Sequence, residues 1–186
     1  MKLIKTDIPD LLIIEPNVFQ DERGYFFESY NKNKYAEQNI NIEFVQDNQS
    51  KSGYGVIRGL HYQLNPNAQT KLVRVLQGAI WDVAVDIRKG SQTYGKWFGI
   101  ELSAENKYQL LVPQGFAHGF SVLTDETIVY YKCDDYYSPQ NERGIIYNDS
   151  QLNVDWKIPA SKAVLSAKDI KHPSFREADN NFIYLK

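Results

Sequence analysis

Alternation of apolar and more polar residues is the feature that most limits how this chain can fold. In the segment WDVAVDIR, residues 81–88, the apolar residues Trp81, Val83, Val85 and Ile87 fall at every second position. Successive side chains of a β-strand point to opposite faces, so the segment predicts a strand with one packed face and one more polar face. The polar face of such a strand can line a binding site.

Similar stretches rich in Val, Ile, Tyr and Phe recur between turn residues, and few segments have the spacing of a long helix. Further strands are predicted near residues 11–15, 24–30, 43–49, 55–63, 70–77, 94–102, 108–112, 117–123 and 127–133. Short helices are predicted at residues 31–38 and around SAKD, residues 166–169. So many short strands favour an all-β sandwich or barrel with short peripheral helices.

Chain length and charge narrow the class of protein. The 186 residues suit a single domain that spans residues 1–186. Twenty-one Lys and Arg residues against 23 Asp and Glu residues leave a net charge of −2, which gives no support for binding nucleic acid or an anionic membrane surface. We therefore expect any anionic ligand to be held by a local pocket.

The cysteine content and the N-terminus indicate a compartment. Cys133 is the only cysteine, which excludes an internal disulfide and any multi-cysteine zinc or iron–sulfur site. The apolar stretch LLII is too short for a signal peptide and is interrupted by Asp10 and Pro16. No segment approaches membrane-spanning length. We expect a cytoplasmic protein.

The segment RGLHYQL, residues 58–64, places His61 in a predicted strand near an arginine. Imidazole has an ordinary pKa close to neutrality, and the guanidinium of Arg58 is a planar fork of donors that suits phosphate. The pair indicates proton transfer beside a bound anion; the alternative is a strand histidine without a chemical role. Strict alternation puts the two side chains on opposite faces, so a shared ligand requires a bulge or twist at Gly59, or an Arg58 that serves a neighbouring strand or subunit.

Two other strands carry candidate groups. In AQTKLVRV, residues 68–75, alternation groups Lys71 with valines, so its ammonium either points into the barrel or reaches water at the strand mouth. In TIVYYKCDDYYSP, residues 127–139, alternation places Tyr131 on one face with a valine and Tyr130 on the other. An inward phenol can donate a proton to a carbanion or enolate, or can simply belong to an aromatic core.

The remaining histidines have different settings. His118 follows a Pro and Gly turn in LVPQGFAHGFSVL, residues 111–123, where it either contacts a ligand or packs beside Phe116 and Phe120. His172 precedes a proline and is expected in a surface loop.

Several kinds of active site are disfavoured. His61 has no second histidine two residues later, and the metal-ligand pattern HxHxxxxE does not occur. There is no GxSxG elbow, Cys133 has no histidine nearby in the sequence, and glycine loops of the Walker or dinucleotide type are missing. We expect no metal and no cofactor, which leaves acid/base chemistry or plain binding.

A series of ordered segments extends along almost the whole chain. They are ERGYFFESY (22–30), FVQDNQSKS (44–52), GVIRGLHYQL (55–64), KLVRVLQG (71–78), DVAVDIRKGSQTYGKW (82–97), VPQGFAHGF (112–120), YYSPQNERGI (136–145) and LSAKD (165–169). Together they resemble the dTDP-4-dehydrorhamnose 3,5-epimerase family, enzymes of activated deoxysugar biosynthesis. So many segments at compatible spacings are far more specific than any one of them.

The resemblance implies a cupin-type β jelly roll, or double-stranded β-helix, that is usually a homodimer. It implies that the protein binds dTDP-4-dehydro-6-deoxy-D-glucose and inverts C3 and C5, giving dTDP-4-dehydro-L-rhamnose in dTDP-L-rhamnose biosynthesis. The C4 ketone permits this chemistry, because the carbanion formed by loss of an adjacent proton delocalises onto oxygen as an enolate.

The same resemblance implies four catalytic roles. His61 is the base, and Asp169 of LSAKD orients it and stabilises the imidazolium by a hydrogen bond. Lys71 stabilises the enolate oxygen, and Tyr131 returns a proton from the opposite face of the sugar.

The positions that the resemblance assigns to substrate binding carry charged, polar or aromatic side chains suited to a nucleotide sugar. They are Arg23, Glu28, Gln46, Asp47, Asn48, Arg58, Lys71, His118, Tyr137, Glu142 and Lys168. Cations are expected near the diphosphate, the polar strand 46–48 near the nucleotide, and Tyr137 stacked on thymine. The alternatives are a surface pair of Arg23 with Glu28, and a turn at Asp47.

Two other functions stay open. One is a 3-epimerase of a related dTDP-4-keto-6-deoxysugar, which Tyr131 disfavours because a missing acid is the simplest way to lose chemistry at C5. The other is a non-catalytic sugar-nucleotide-binding jelly roll, which the complete set of His61, Asp169, Lys71 and Tyr131 disfavours.

Overall fold

The computed structural model describes residues 1–184, in which antiparallel β-strands are the main elements. The strands are β1 Lys2–Lys5, β2 Leu12–Glu15, β3 Phe19–Asp21, β4 Gly24–Phe26, β5 Gln46–Ser52, β6 Ile57–Gln63, β7 Lys71–Gln77, β8 Ala79–Asp86, β9 Trp97–Ser103, β10 Gln109–Val112, β11 Phe116–Val122, β12 Thr127–Cys133 and β13 Glu142–Gly144. A single short α-helix in this range, α1 Lys32–Ala36, and 3-10 turns at Ala160–Lys162 and Asp169–Lys171 lie at the periphery.

Two sheets form the body of the fold. One has the strand order β1-β2-β10-β7-β12-β5 and the other β13-β6-β11-β8-β9, while β3 and β4 form a separate hairpin. Their inner faces share one apolar core, in which Val73 and Val129 of the first sheet meet Ala84, Phe116 and Phe120 of the second. The prediction of an all-β jelly roll with short peripheral helices is confirmed.

The outer faces of both sheets are also covered. Val83 and Val85 on β8 pack against Trp156 and Phe175 from the C-terminal part of the chain. Leu72, Leu111 and Ile14 of the other sheet pack against Tyr35 of α1 and Ile40. Because each sheet is covered on both sides, even the more polar face predicted for residues 81–88 lies inside the protein.

All ten predicted strands are present, with ends that move by a few residues. The exposed strand β3 and the short edge strands β1 and β13 were not predicted, since three or four residues are too few to establish an alternation. Helix α1 lies within the predicted range 31–38 and is capped by Asn31, whose side chain accepts from the amides of Asn33 and Lys34. The SAKD segment forms only the start of a 3-10 turn.

A buried ion pair closes one end of β8. The guanidinium of Arg88 donates to both carboxylate oxygens of Asp86 at 2.9 Å, and its third nitrogen donates to Asp10 at 2.7 Å. Ser91 and Thr93 also donate to Asp86. Burial opposes ionisation of Asp86, but these donors outweigh it and hold its pKa below the ordinary value.

We expect Asp86→Asn to lower the free energy of unfolding by about 3 kcal/mol at pH 7, because the change leaves a buried guanidinium without its carboxylate. A carboxyl with a depressed folded-state pKa stabilises above its unfolded pKa of about 3.9, and this stability is lost as the pH falls through the folded value. The difference in the free energy of unfolding between wild type and variant, measured by urea denaturation, should therefore narrow below about pH 4.

Glu126→Gln is the matched control, because Glu126 forms an exposed pair with Lys51. Its urea denaturation curve should match that of the wild type. An Asp86→Asn protein as stable as this control would contradict a stabilising role for the buried pair.

Candidate active site

A pocket of about 260 Å³ lies between the two sheets. Strands β6 and β11 form one wall, strands β5, β7 and β12 form the other, and the segment before and within the second 3-10 turn closes one side. The lining residues are Ser50, Arg58, His61, Lys71, His118, Phe120, Tyr131, Ser166, Lys168 and Asp169. All four residues proposed for catalysis on the basis of the sequence are among them.

The shared position of Arg58 and His61 depends on Gly59. The pairing of β6 with β11 shifts by one residue, from Arg58 opposite Phe120 to His61 opposite His118. Gly59 has a φ of +131°, and a Cβ there would lie 2.5 Å from the Cα of Gly119. The expected irregularity at Gly59 is confirmed, and it turns both functional side chains into one pocket.

His61 and Asp169 form the closest polar contact in the pocket. Nε2 of His61 lies 2.5 Å from Oδ1 of Asp169, and the amide of Asp169 is held by the hydroxyl of Ser166 at 3.1 Å. Burial opposes ionisation of Asp169, yet the hydrogen bond from His61 keeps its pKa below the ordinary value. An ionised Asp169 accepts a hydrogen bond from Nε2–H of His61, so Nδ1 of the neutral imidazole carries the lone pair that a base requires.

Lys71 and Tyr131 lie on neighbouring strands, with the Lys71 Nζ 5.9 Å from the centre of the Tyr131 ring. Both side chains line the pocket, so of the two alternatives for Lys71 the inward one is confirmed. Burial lowers the pKa of Lys71, while nearby Cys133, Asp82 and Glu142 oppose that shift. Burial raises the pKa of Tyr131, so the phenol keeps its proton at neutral pH and can act as an acid.

His118 lines the pocket, and the centre of its ring lies 6.5 Å from that of Phe120, as the packing interpretation predicted. Its contact with a ligand stays a prediction. Its Nε2 lies 2.8 Å from Oδ1 of the fully buried Asp82. Asp82 falls on the more polar face of the strand predicted at residues 81–88, but alternation alone does not indicate that it contacts His118. Adjacent strands bring the two together, since His118 is opposite Ala84, two residues from Asp82.

A second polar cluster lies at the pocket mouth. Glu142 pairs with Lys168 and accepts a hydrogen bond from the Tyr137 hydroxyl at 2.5 Å. Burial opposes ionisation of Glu142, but these two donors keep its pKa below the ordinary value. The ring of Tyr137 is 54% exposed, which leaves a face available for stacking.

The polar strand β5 splits its predicted residues between two faces. Gln46 donates to Asn48 at 3.1 Å and accepts from the amide of Tyr137 at 3.0 Å, so these two side chains lie towards the cluster at the mouth. Asp47 points to the other face and pairs with Lys132 at 2.9 Å. Asp47 is thus a strand residue rather than a turn residue, and within one chain it does not face the pocket.

Arg23 and Glu28 lie outside the pocket of their own chain. Arg23 sits at the tip of the β3–β4 hairpin with 85% of its side chain exposed, and it pairs with Asp21. Glu28 pairs with Lys34 at 2.6 Å. The alternative of a pair between Arg23 and Glu28 is therefore wrong, and their assignment to the ligand stays a prediction.

The expectation that His172 is a surface loop residue is wrong. Only 10% of its side chain is exposed, and its ring stacks edge-on against His61 with 5.4 Å between ring centres. The 3-10 turn at Asp169–Lys171 folds the chain back on itself, and the missing side chain of Gly144 leaves room for the imidazole. Burial and the neighbouring His61 lower the pKa of His172. His172 lies between a 3-10 turn and Pro173, so no alternation of apolar and polar residues is present to predict its burial.

Comparison with known proteins agrees with this geometry. The sequence profile of the dTDP-4-dehydrorhamnose 3,5-epimerase family matches residues 5–177. A dTDP-4-dehydrorhamnose 3,5-epimerase of Shigella flexneri is 56% identical over 180 residues, which cover 96% of this chain and 98% of the relative.

Two solved structures show the same fold. The dTDP-4-dehydrorhamnose 3,5-epimerase of Elizabethkingia anophelis is 54% identical with a TM-score of 0.91, covering 95% of this chain and 97% of that one. A dTDP-6-deoxy-D-glucose-3,5-epimerase of Legionella pneumophila, solved with dTDP-4-keto-L-rhamnose, is 49% identical with a TM-score of 0.92, covering 96% and 94%. This chain therefore belongs to the dTDP-4-dehydrorhamnose 3,5-epimerase family.

Proposed function

We propose that this protein is an isomerase that converts dTDP-4-dehydro-6-deoxy-D-glucose to dTDP-4-dehydro-L-rhamnose by inverting C3 and C5. The observation that carries the proposal is the position of the base and the acid on opposite walls. His61 belongs to the five-stranded sheet and Tyr131 to the six-stranded sheet, and both line one pocket. Inversion requires removal of a proton from one face of a carbon and its return to the other.

In the first step, Nδ1 of His61 accepts the proton from C3 or C5. The electrons of the broken C–H bond form a double bond to C4, and the carbonyl electrons move to the ketone oxygen. Asp169 stabilises the imidazolium that results, because its carboxylate already accepts from Nε2. Lys71 donates to the enolate oxygen from the opposite wall, where low polarity strengthens the interaction.

In the second step, the Tyr131 hydroxyl donates its proton to the same carbon from the other face, and the ketone reforms. The phenolate regains a proton from solvent, and His61 releases the one that it took. No redox change occurs and Lys71 supplies the charge that stabilises the enolate oxygen, so the proposed reaction uses no cofactor and no metal. Arg58, His118 and Lys168 line the same pocket and supply donors for the diphosphate, with Tyr137 at the mouth for thymine.

The first test is His61→Ala, followed by proton NMR of the substrate in deuterium oxide. We expect solvent exchange at C3 and C5 to fall by at least about 10²-fold, because the general base is absent. Binding of dTDP, measured by calorimetry, should persist and shows that the variant is folded. Turnover near the wild-type rate would reject His61 as the base, and absence of exchange by the wild type would reject the substrate or the reaction.

Tyr131→Phe separates proton removal from proton return. We expect His61-dependent exchange to continue while formation of the inverted sugar falls by about 10²-fold, because the opposite-face acid is lost. Tyr130→Phe is the matched control, since Tyr130 directly precedes Tyr131 in β12 and lies on the other face. Equal inversion rates for the two variants would contradict the role of Tyr131. Exchange by the wild type at C3 alone would indicate the 3-epimerase instead.

We also propose a homodimer in which the β3–β4 hairpin of one subunit reaches the pocket of the other. Phe19 and Phe26 on this hairpin are 65% and 71% exposed, which is unusual for paired aromatic side chains in an isolated subunit. Such an arrangement accounts for the distance of Arg23 and Glu28 from the pocket of their own chain. The expected partner is a second copy of this chain, and no nucleic acid is expected.

Mixed dimers test the arrangement. Arg23→Ala and His61→Ala proteins are each impaired, yet a heterodimer has one intact site if Arg23 is supplied by the other subunit. Random exchange of subunits should then restore about a quarter of the wild-type sites. A mixture of Arg58→Ala with His61→Ala is the matched control and should regain nothing, because both residues lie on β6. No recovery in the first mixture would contradict a site shared between subunits.

Along residues 1–184, no helix has the length and apolarity needed to cross a membrane. We propose that the protein acts in the cytoplasm, where nucleotide sugars are made. Cys133 is the only cysteine of the chain and is a buried free thiol, which agrees with a reducing compartment.

A further inference from the structure

His61 and Asp169 in the pocket wall and His172 behind them bring two imidazoles and a carboxylate close together. Oδ1 of Asp169 lies 2.5 Å from Nε2 of His61 and 3.5 Å from Nε2 of His172. One ligand atom from each of the three residues can be chosen so that all lie within 4.8 Å of one another. Two imidazoles and one carboxylate form a ligand set that zinc prefers in open sites.

The spacing fits a tetrahedral ion after small movements. Bonds of about 2.1 Å at tetrahedral angles place ligand atoms roughly 3.4 Å apart. The separation between Asp169 and His172 has this value, and that between Asp169 and His61 must lengthen by about 1 Å to reach it. The ligand nitrogens of the two histidines, which lie within 4.8 Å of each other, must come to the same separation. His61 lines the pocket and has 29% of its side chain exposed, so a fourth ligand can approach from the pocket side.

His172 supplies a second and independent observation. Its Nε2 is buried and has no hydrogen-bond partner within residues 1–184, although its side chain is nine-tenths buried. A buried imidazole nitrogen without a partner costs free energy unless something binds it. The ring packs over Gly144, where a Cβ would overlap Nε2, so the imidazole fits only because this position has no side chain.

We propose that His61, Asp169 and His172 form a reversible binding site for zinc or a similar divalent cation, and that the bound ion inhibits the enzyme. Inhibition rests on the proposed function; binding does not. The nearby Glu142 and Lys168 pair with each other, so Asp169 is the carboxylate left to meet the cation. Arg58 and Lys71 line the same pocket, and their charge favours an anionic fourth ligand such as hydroxide or chloride.

Inhibition follows from the single lone pair of a neutral imidazole. An ion on Nε2 of His61 takes that lone pair, so the proton must reside on Nδ1, and His61 can no longer accept a proton from the sugar. The ion also replaces the hydrogen bond to Asp169. Inhibition should therefore track occupancy of the site by the metal, and a chelator should reverse it.

The binding test uses metal-free protein without substrate, so it is independent of the proposed reaction. Calorimetry with zinc chloride should show one site per chain with a micromolar dissociation constant, and cobalt(II) should give the strong visible absorption of a four-coordinate ion. We expect His172→Gln to weaken zinc binding at least tenfold, and His172→Ala to do the same. Lys171→Gln is the matched control, an exposed neighbour outside the site, and should bind zinc like the wild type.

Both His172 variants should bind dTDP like the wild type, which shows that their pockets are folded. Equal zinc affinity in the wild type and both His172 variants, or no zinc binding at all, would overturn the site. If zinc binds at one site per chain and turnover is unchanged when that site is occupied, the proposed inhibition is wrong. Loss of turnover in metal-free wild type would instead count against the proposed function, and the zinc isotherm would still test the site.

Discussion

The one-residue shift of β6 against β11 is the constraint on which the site depends. A slip of one residue moves side chains of a strand to the opposite face. Here the slip occurs within the strand, so Ile57 and Leu60 both stay in the outer apolar core while Arg58 and His61 both face the pocket. An unbroken alternation would put either the cation or the base into the apolar layer beneath the C-terminal segment. Gly59 permits the shift because a side chain at this position would collide with Gly119.

Buried carboxylates have two uses in this protein. Asp86 is surrounded by donors, and its pair with Arg88 holds β8 to Asp10 near the N-terminus. Asp169 and Asp82 each contact a histidine that lines the pocket. A carboxylate beside an imidazole orients the ring through the hydrogen bond between them. The kind of partner beside each carboxylate therefore separates the structural ion pair from the two histidine partners.

The sequence predicted what depends on local alternation. Lys71 and Tyr131 share faces with Val73 and Val129, as their spacing indicated, and a bulge or twist at Gly59 was one of the two arrangements that let Arg58 and His61 share a ligand. Contacts between distant segments were not predictable in this way. The partnership of Asp82 with His118 depends on strand pairing across 36 residues, and the position of His172 depends on a 3-10 turn. The catalytic role of Asp169 came from family resemblance, since nothing in LSAKD itself indicates contact with a strand about one hundred residues earlier.

A two-sheet fold suits chemistry that must reach both faces of a carbon. The sheets are held apart by a shared apolar core, so the distance between the base on β6 and the acid on β12 is set by packed side chains such as Val129 and Phe120. Neither group lies on a mobile loop, and each is fixed by the ladder of its own sheet. Lys71 lies beside the acid rather than beside the base, which keeps its ammonium away from the imidazolium formed in the first step. The walls of the jelly roll thus separate the two proton-transfer groups, and the space between the sheets is where a planar enolate can receive its proton from the second face.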